Sequence, residues 1–187
     1  MSKPYDIGVV VGRFQILHYG HIHLIEETRK IADKTIIFTG HSGFADMRHM
    51  LSVDYVRISI LKALPDSSDL IIKSIYDAHE DSKWVYKLEA GVNSVALENK
   101  ISKPRICFVG SKKDVVWYTN LLPNWNLLLL PPYKNINATD IRKDFYLNGK
   151  VRESELPQVS IDILNGMKLD GMYKHIVERY KEFYSLY

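Results

Sequence analysis

Five short runs constrain this chain more than anything else in it. They are "YDIGVVV" (5–11), "KTIIFTG" (34–40), "DLIIKSI" (69–75), "RICFVG" (105–110) and "NLLLL" (126–130). Each is apolar at consecutive rather than alternate positions, the pattern of a strand covered on both faces. The stretches between them have helical spacing. Residues 20–32 carry Ile22, Ile25 and Ala32 among charges, 52–64 opens on Ser52 as an N-cap candidate, and 82–97 is a further helix. Strands alternating with helices imply right-handed crossovers and a parallel sheet. The expected fold is therefore a doubly wound α/β architecture with five parallel strands.

The pattern changes at Asp140. "DIRKDFYLNG", "VSIDILNGM" and "YKHIVERYKEFYSLY" are all helical in spacing, and Gly149 and Leu156–Pro157 punctuate them. This predicts an α/β domain over 1–150 and a helical extension over 151–187 that packs on it, with its tyrosines serving that packing. A length of 187 residues with 46% hydrophobic content suits one domain with a sizeable core. The net charge of +3 is mild. It favours a phosphorylated small molecule over nucleic acid, which would need a clustered basic stripe. Cys107 is the single cysteine, which excludes an internal disulfide and a multi-cysteine zinc site, and its setting in "RICFVG" predicts a buried, inert thiol. No run approaches a membrane span, and "MSKPYD" lacks the apolar core of a signal peptide, so a reducing cytoplasm is the expected compartment.

"GRFQILHYGHIHLI" (12–25) places three histidines where the first strand should turn into a helix. In parallel sheets ligands bind outside the carboxyl ends of the strands, and a helix N-terminus there offers unpaired amides to phosphate. His18 and His21 are three apart and can project to one side of the first turn, while Gly20 would let a ligand approach the backbone. Spacing alone leaves three options open: surface or structural histidines, phosphate chemistry, and metal. Zinc lacks a full ligand set, because His23 is too near and neither a cysteine cluster nor H-E-x-x-H is present.

"GRFQILHYGH" resembles the G-R-F-Q-P-x-H-x-G-H signature of the nucleotidyltransferase superfamily that contains the nicotinamide-mononucleotide (NMN) adenylyltransferases. "NINATDIRKDF" (135–145) is similar to the second signature of that family, I-S-x-T-x-I-R. Between them, "TGHSGFADMRHMLSVDYVRISIL", "IYDAHEDSKWVYKL" and "CFVGSKKDVVWYTNLLPNW" resemble segments of the archaeal enzymes and of bifunctional adenylyltransferase–Nudix proteins. The likeness covers about residues 5 to 150, and the helical tail resembles the connector helices of the bifunctional proteins. Nothing in the chain matches a Nudix box.

The resemblance implies a Rossmann-like nucleotidyltransferase fold and transfer of AMP from ATP to NMN, giving NAD and pyrophosphate, with Mg²⁺ accompanying ATP. His18, His21 and Arg142 would be catalytic. Gly12, Arg13, Phe14, Gly20, Gly110, Lys112, Asn137, Thr139 and Ile141 would line the ATP phosphates and adenosine. Gln15, Arg48, Asp77 and Trp84 would bind NMN, with Trp84 stacked on the pyridine ring. Homo-oligomerisation is left open, and no nucleic-acid or membrane partner is implied. The chain departs from the pattern at Ile16, where the family has proline, at Leu17, usually aromatic, at Asn137, usually serine, and at "HMLS" (49–52), where N-P-F-T is usual. The loss of proline predicts a less rigid loop. Rival readings are a relative acting on nicotinate mononucleotide, phosphopantetheine or a CTP-dependent substrate, a non-catalytic nucleotide sensor, and a metal-dependent hydrolase.

Overall fold

The computed structural model describes residues 2–43, 46, 48–78, 80–111 and 121–185. Five strands form one sheet: β1 (Tyr5–Gly12), β2 (Ala32–His41), β3 (Leu70–Tyr76), β4 (Ile106–Ser111) and β5 (Asn126–Leu130). Their order is β3-β2-β1-β4-β5, and every pairing is parallel. The expected doubly wound α/β sheet is thus the observed one. Strand order reverses between β1 and β4, the switch point beside which such sheets bind ligands. The helices among the described residues are α1 (Tyr19–Ile31), α2 (Val53–Ala63), α3 (Asp81–Glu98), α4 (Ala138–Asn148), α5 (Gln158–Met167) and α6 (Gly171–Ser185). Ser52 caps α2 as expected, its hydroxyl accepting the Tyr55 N–H at 3.4 Å.

The chain forms two compact units. The first comprises Met1–Gly12, His23–Ser42 and Asp66–Pro132 and holds the whole sheet. Its core joins Ile7 and Val9 of β1, Ile36 and Phe38 of β2, and Leu88, Val92 and Val95 of α3. Cys107 is buried, and burial pushes its thiol above the ordinary value, so it stays protonated as the expected inert thiol. Helix and strand approach so closely at Gly8 that an added Cβ would lie 2.4 Å from Thr28 Cγ2 and 2.9 Å from Ala32 Cβ. Gly8→Ala is therefore expected to cost about 1–3 kcal/mol in urea unfolding. Gly166→Ala, in open space on α5, should be neutral or stabilising by about 0.5–1 kcal/mol. Equal effects at the two sites would refute the close-packing argument.

The second unit comprises Arg13–Ile22, Gly43–Pro65 and Tyr133–Tyr187. Within it α2 packs on α5 and α4 on α6. Ser160 Oγ donates to the Leu17 carbonyl at 2.8 Å, and Tyr173 Oη donates to that of Phe145 at 3.2 Å. The rings of Phe145, Tyr146, Tyr173 and Tyr180 cluster between α4 and α6, so these tyrosines do serve packing. Gly149 ends α4 in the left-handed conformation at φ 61°, with its N–H on the Phe145 carbonyl and the Lys150 N–H on that of Asp144.

Candidate active site

The site is built on the segment that leads into α1. Phe14 takes a left-handed φ of 52°, uncommon for a bulky residue, and the Gln15–Ile16 peptide is cis. Phe14, Ile16 and Leu17 are all buried. In the loop expected to be less rigid for want of the family's proline, all three of these side chains are packed inside. The polar members are then aimed by hydrogen bonds. Gln15, expected to face NMN, turns inward: its Nε2 donates to the Leu51 carbonyl at 2.9 Å and its Oε1 accepts the Leu51 N–H at 2.7 Å. Both groups of its carboxamide are thereby committed to one backbone residue of the segment that carries Arg48. The side chain ties two loops together.

The His18 carbonyl accepts the N–H groups of His21 and Ile22 at 2.9 and 3.2 Å, which starts α1. The two imidazoles stack, with centroids 3.7 Å apart and planes inclined by 18°. Phe14 lies against the His21 ring at 4.8 Å. Gly20 is needed for this pair: an added Cβ would sit 2.9 Å from His18 Nδ1. The expectation was that this glycine admits a ligand to the backbone; the structure gives its space to the His18 ring. His18 Nδ1 accepts the His21 N–H at 3.3 Å, so in the neutral ring the proton resides on Nε2. His21 Nδ1 is buried and meets no hydrogen-bond partner among the described residues.

Burial, with the nearby Arg142 charge, lowers the His18 pKa to about 4. Burial, then His18 and Arg142, hold His21 well below the ordinary value. Both rings are therefore neutral near pH 7, acting as hydrogen-bonding groups rather than charges. This depression makes folding pH-dependent. Between the ordinary value of 6.5 and about 4 the unfolded chain binds a proton at position 18 that the folded chain does not. The stabilisation is complete above pH 6.5 and lost as pH falls toward 4. Urea unfolding should weaken by roughly 2 kcal/mol from pH 7 to pH 5 on account of His18. His18→Gln should reduce that slope, leaving the part set by His21; an unchanged slope would refute the assignment.

Positive charge comes from arginines. Arg142 rises one turn into α4, where its guanidinium donates to the Gln15 carbonyl and reaches Thr139 Oγ1 at 3.5 Å. Burial, and secondarily the like charges of Arg13 and Arg48, lower its pKa. Guanidiniums close enough to repel one another make a site for an anion. At the start of α4, Asn137 Oδ1 accepts the Asp140 N–H at 2.9 Å, and its Nδ2 donates to Asp140 Oδ2 at 2.7 Å. The Ile141 N–H turns to the Asn137 carbonyl at 3.4 Å. That leaves the Ala138 and Thr139 N–H groups of the first turn without a partner within the helix.

Sequence reasoning missed one further arrangement. Asp46 accepts the N–H groups of Arg48 and His49 at 2.6 and 2.7 Å, and each of its carboxylate oxygens lies 3.1 Å from Nδ1 of the buried His49. The i, i+3 spacing of an aspartate and a histidine is its only trace in the sequence. Gly12, Gly110, Asp77 and Trp84 lie in the first unit. Gly12 closes β1, Gly110 is in β4, and the Asp77 N–H donates to the His41 carbonyl at 2.9 Å. Trp84 stands in the first turn of α3, half-buried against the core. Lys112 lies outside the described residues. Among the described residues no three His, Cys, Asp or Glu side chains gather to hold a metal. No helix among them is long and apolar enough to cross a membrane.

Comparisons with known proteins agree with this fold. Residues 9–144 match the cytidylyltransferase-like family. The nicotinamide/nicotinic acid mononucleotide adenylyltransferase of Acinetobacter baylyi is 26% identical over 182 residues, covering 95% of this chain and 94% of that protein. The FAD synthase of Thermococcus sibiricus is 32% identical over 76 residues, 38% of this chain and 51% of that one. Among solved structures, a bifunctional NMN adenylyltransferase/ADP-ribose pyrophosphatase from Francisella tularensis, complexed with AMP and a manganese ion, superposes with a TM-score of 0.84 at 25% identity. The superposition covers 98% of this chain and only 56% of that one. Matched over most of its length, the chain belongs to the cytidylyltransferase-like family and has the nucleotidyltransferase fold.

Proposed function

We propose that the protein is an adenylyltransferase that joins AMP from ATP to a pyridine mononucleotide, with NMN preferred over the nicotinate form. One observation carries this reading: two stacked, neutral imidazoles and the Arg142 guanidinium meet within one unit, beside the arginine pair Arg13 and Arg48. The acceptor's 5′-phosphate oxygen forms a bond to the α-phosphorus of ATP. The bond from that phosphorus to the β-bridging oxygen breaks, and pyrophosphate leaves with the electron pair. The attacking group is already an anion, so no general base is required and catalysis is positioning plus charge stabilisation. His18 and His21 donate hydrogen bonds to phosphate oxygens without adding charge. Arg142, with the Thr139 amide and hydroxyl, takes the charge growing on pyrophosphate.

Mg²⁺ arrives with ATP as part of the substrate and screens its phosphates. The residues around the imidazole pair suit that role, because they supply N–H donors and guanidiniums to phosphate rather than a carboxylate cage. By the resemblance, Trp84 would stack on the cationic pyridine ring. Asp77, exposed just beyond β3, would accept from a carboxamide and repel a nicotinate carboxylate, which favours NMN. On this reading residues 1–150 carry the reaction, and the helical extension 151–187 supports α2 and α4. The test is to incubate the protein with ATP, Mg²⁺ and either mononucleotide and to separate the products by chromatography. NAD formed faster from NMN supports the reading. Faster nicotinate dinucleotide formation overturns the preference, and no dinucleotide from either overturns the reaction.

A further inference from the structure

Helix α2 has two faces of different character. Val56, Ser59 and Ile60 are buried on its inner side. The outer side exposes Tyr55 at 57%, Ile58 at 45% and Leu61 at 38%. These three recur at i, i+3 and i+6, so they line one stripe. Asp54 and Lys62 flank them, at i−4 and i+4 from Ile58, and are also exposed. Five residues thus read Asp-Tyr…Ile…Leu-Lys, apolar at the centre and oppositely charged at the two ends.

That order is self-complementary under a two-fold axis. When two such helices pack antiparallel with their Ile58 residues on the axis, position i−n of one faces position i+n of the other. Tyr55 then meets Leu61 of the second copy, and Asp54 meets its Lys62. At 1.5 Å rise per residue each charge pair lies about 6 Å from the axis, twice over, at the rim of an apolar centre. A parallel pairing would set Asp54 against Asp54. We propose that this face of α2 is the isologous contact of a homodimer, with a second copy of this chain as the partner. The apolar stripe supplies attraction, and the terminal charges fix orientation and exclude other registers. One helix pair is smaller than a standard stable interface, so the association should be weak, with a dissociation constant on the order of 10 µM or above.

Analytical ultracentrifugation of the whole protein from about 5 to 500 µM tests this. A concentration-dependent monomer–dimer equilibrium is expected, abolished over that range by Ile58→Asp. Asp54→Lys alone and Lys62→Asp alone each bring like charges together at both ends and should be monomeric. Mixed in equal amounts, these two variants restore opposite charges at both ends and should associate. Circular dichroism and melting midpoints of the variants report whether each still folds. Should Ile58→Asp misfold, the mixing experiment still decides. A wild-type monomer throughout overturns the proposal, as does a dimer indifferent to Ile58→Asp. So does failure of the two charge variants to associate when the wild type does, or a higher oligomer unaffected by either change.

Discussion

His21→Ala is expected to lower kcat for dinucleotide formation by about 10²–10³-fold, with KM for ATP changed far less. The ring is held between Phe14 and His18 at centroid distances of 4.8 and 3.7 Å, so its direction is fixed before any nucleotide arrives. Its low pKa means that it offers a hydrogen bond and no charge. Such a group stabilises oxygens whose charge increases as the bond to the α-phosphorus forms, and contributes less to the ground state. Single-turnover measurement with saturating ATP separates the chemical step from release. Because the ring also buttresses His18, His21→Asn, which keeps an N–H donor, should retain more activity than alanine. A rate within threefold of wild type for His21→Ala would remove the imidazole from the mechanism.

Gln15→Ala should destabilise the fold by about 2–4 kcal/mol and raise KM for the mononucleotide. The carboxamide satisfies both backbone groups of Leu51 in a buried setting, and truncation leaves a donor and an acceptor without partners, each costing about 1–3 kcal/mol. The loop carrying Arg48 loses the same tether. Gln15→Glu separates the two hydrogen bonds. One carboxylate oxygen can still accept the Leu51 N–H, but the other faces the Leu51 carbonyl and must be protonated to donate to it. The new carboxyl should contribute stability as pH falls through its raised pKa, opposite in sign to the loss set by His18, so the variant should lose less stability than the wild type on acidification. Urea midpoints at pH 5 and pH 7.5 check both effects. A loss below 0.5 kcal/mol for alanine would show that water replaces the carboxamide.

The sheet was legible because its three central strands, β1, β2 and β4, are buried along half or more of their length, which turns the usual alternation into an unbroken apolar run. The edge strands β3 and β5 are only partly covered yet carry similar runs. The runs at 5–11 and 34–40 emerge as Tyr5–Gly12 and Ala32–His41. The helical starts at Ser52 and near Gly20 followed from capping and spacing. Side-chain direction was harder to read. Gln15 sits in a motif, but the sequence does not reveal that its partner is the backbone of Leu51, a group with no signature of its own. For Gly20, a missing Cβ can serve a ligand or a neighbouring ring, and only coordinates distinguish them. Arg142 and the Gln15 carbonyl lie 127 positions apart, too distant for local pattern to join. The Asp46–His49 pair falls in a segment with no periodicity to give it a face.

The two units alternate along the chain in six segments, and α1 begins in one and ends in the other. The imidazole pair and Gln15 come from the second of these segments, the Leu51 backbone that Gln15 holds from the fourth, and Arg142 from the last. No single break in the gene could therefore deliver either unit intact to another protein. Exchange of ready-made cassettes, the quick evolutionary route to a new acceptor, is closed to a chain threaded in this way.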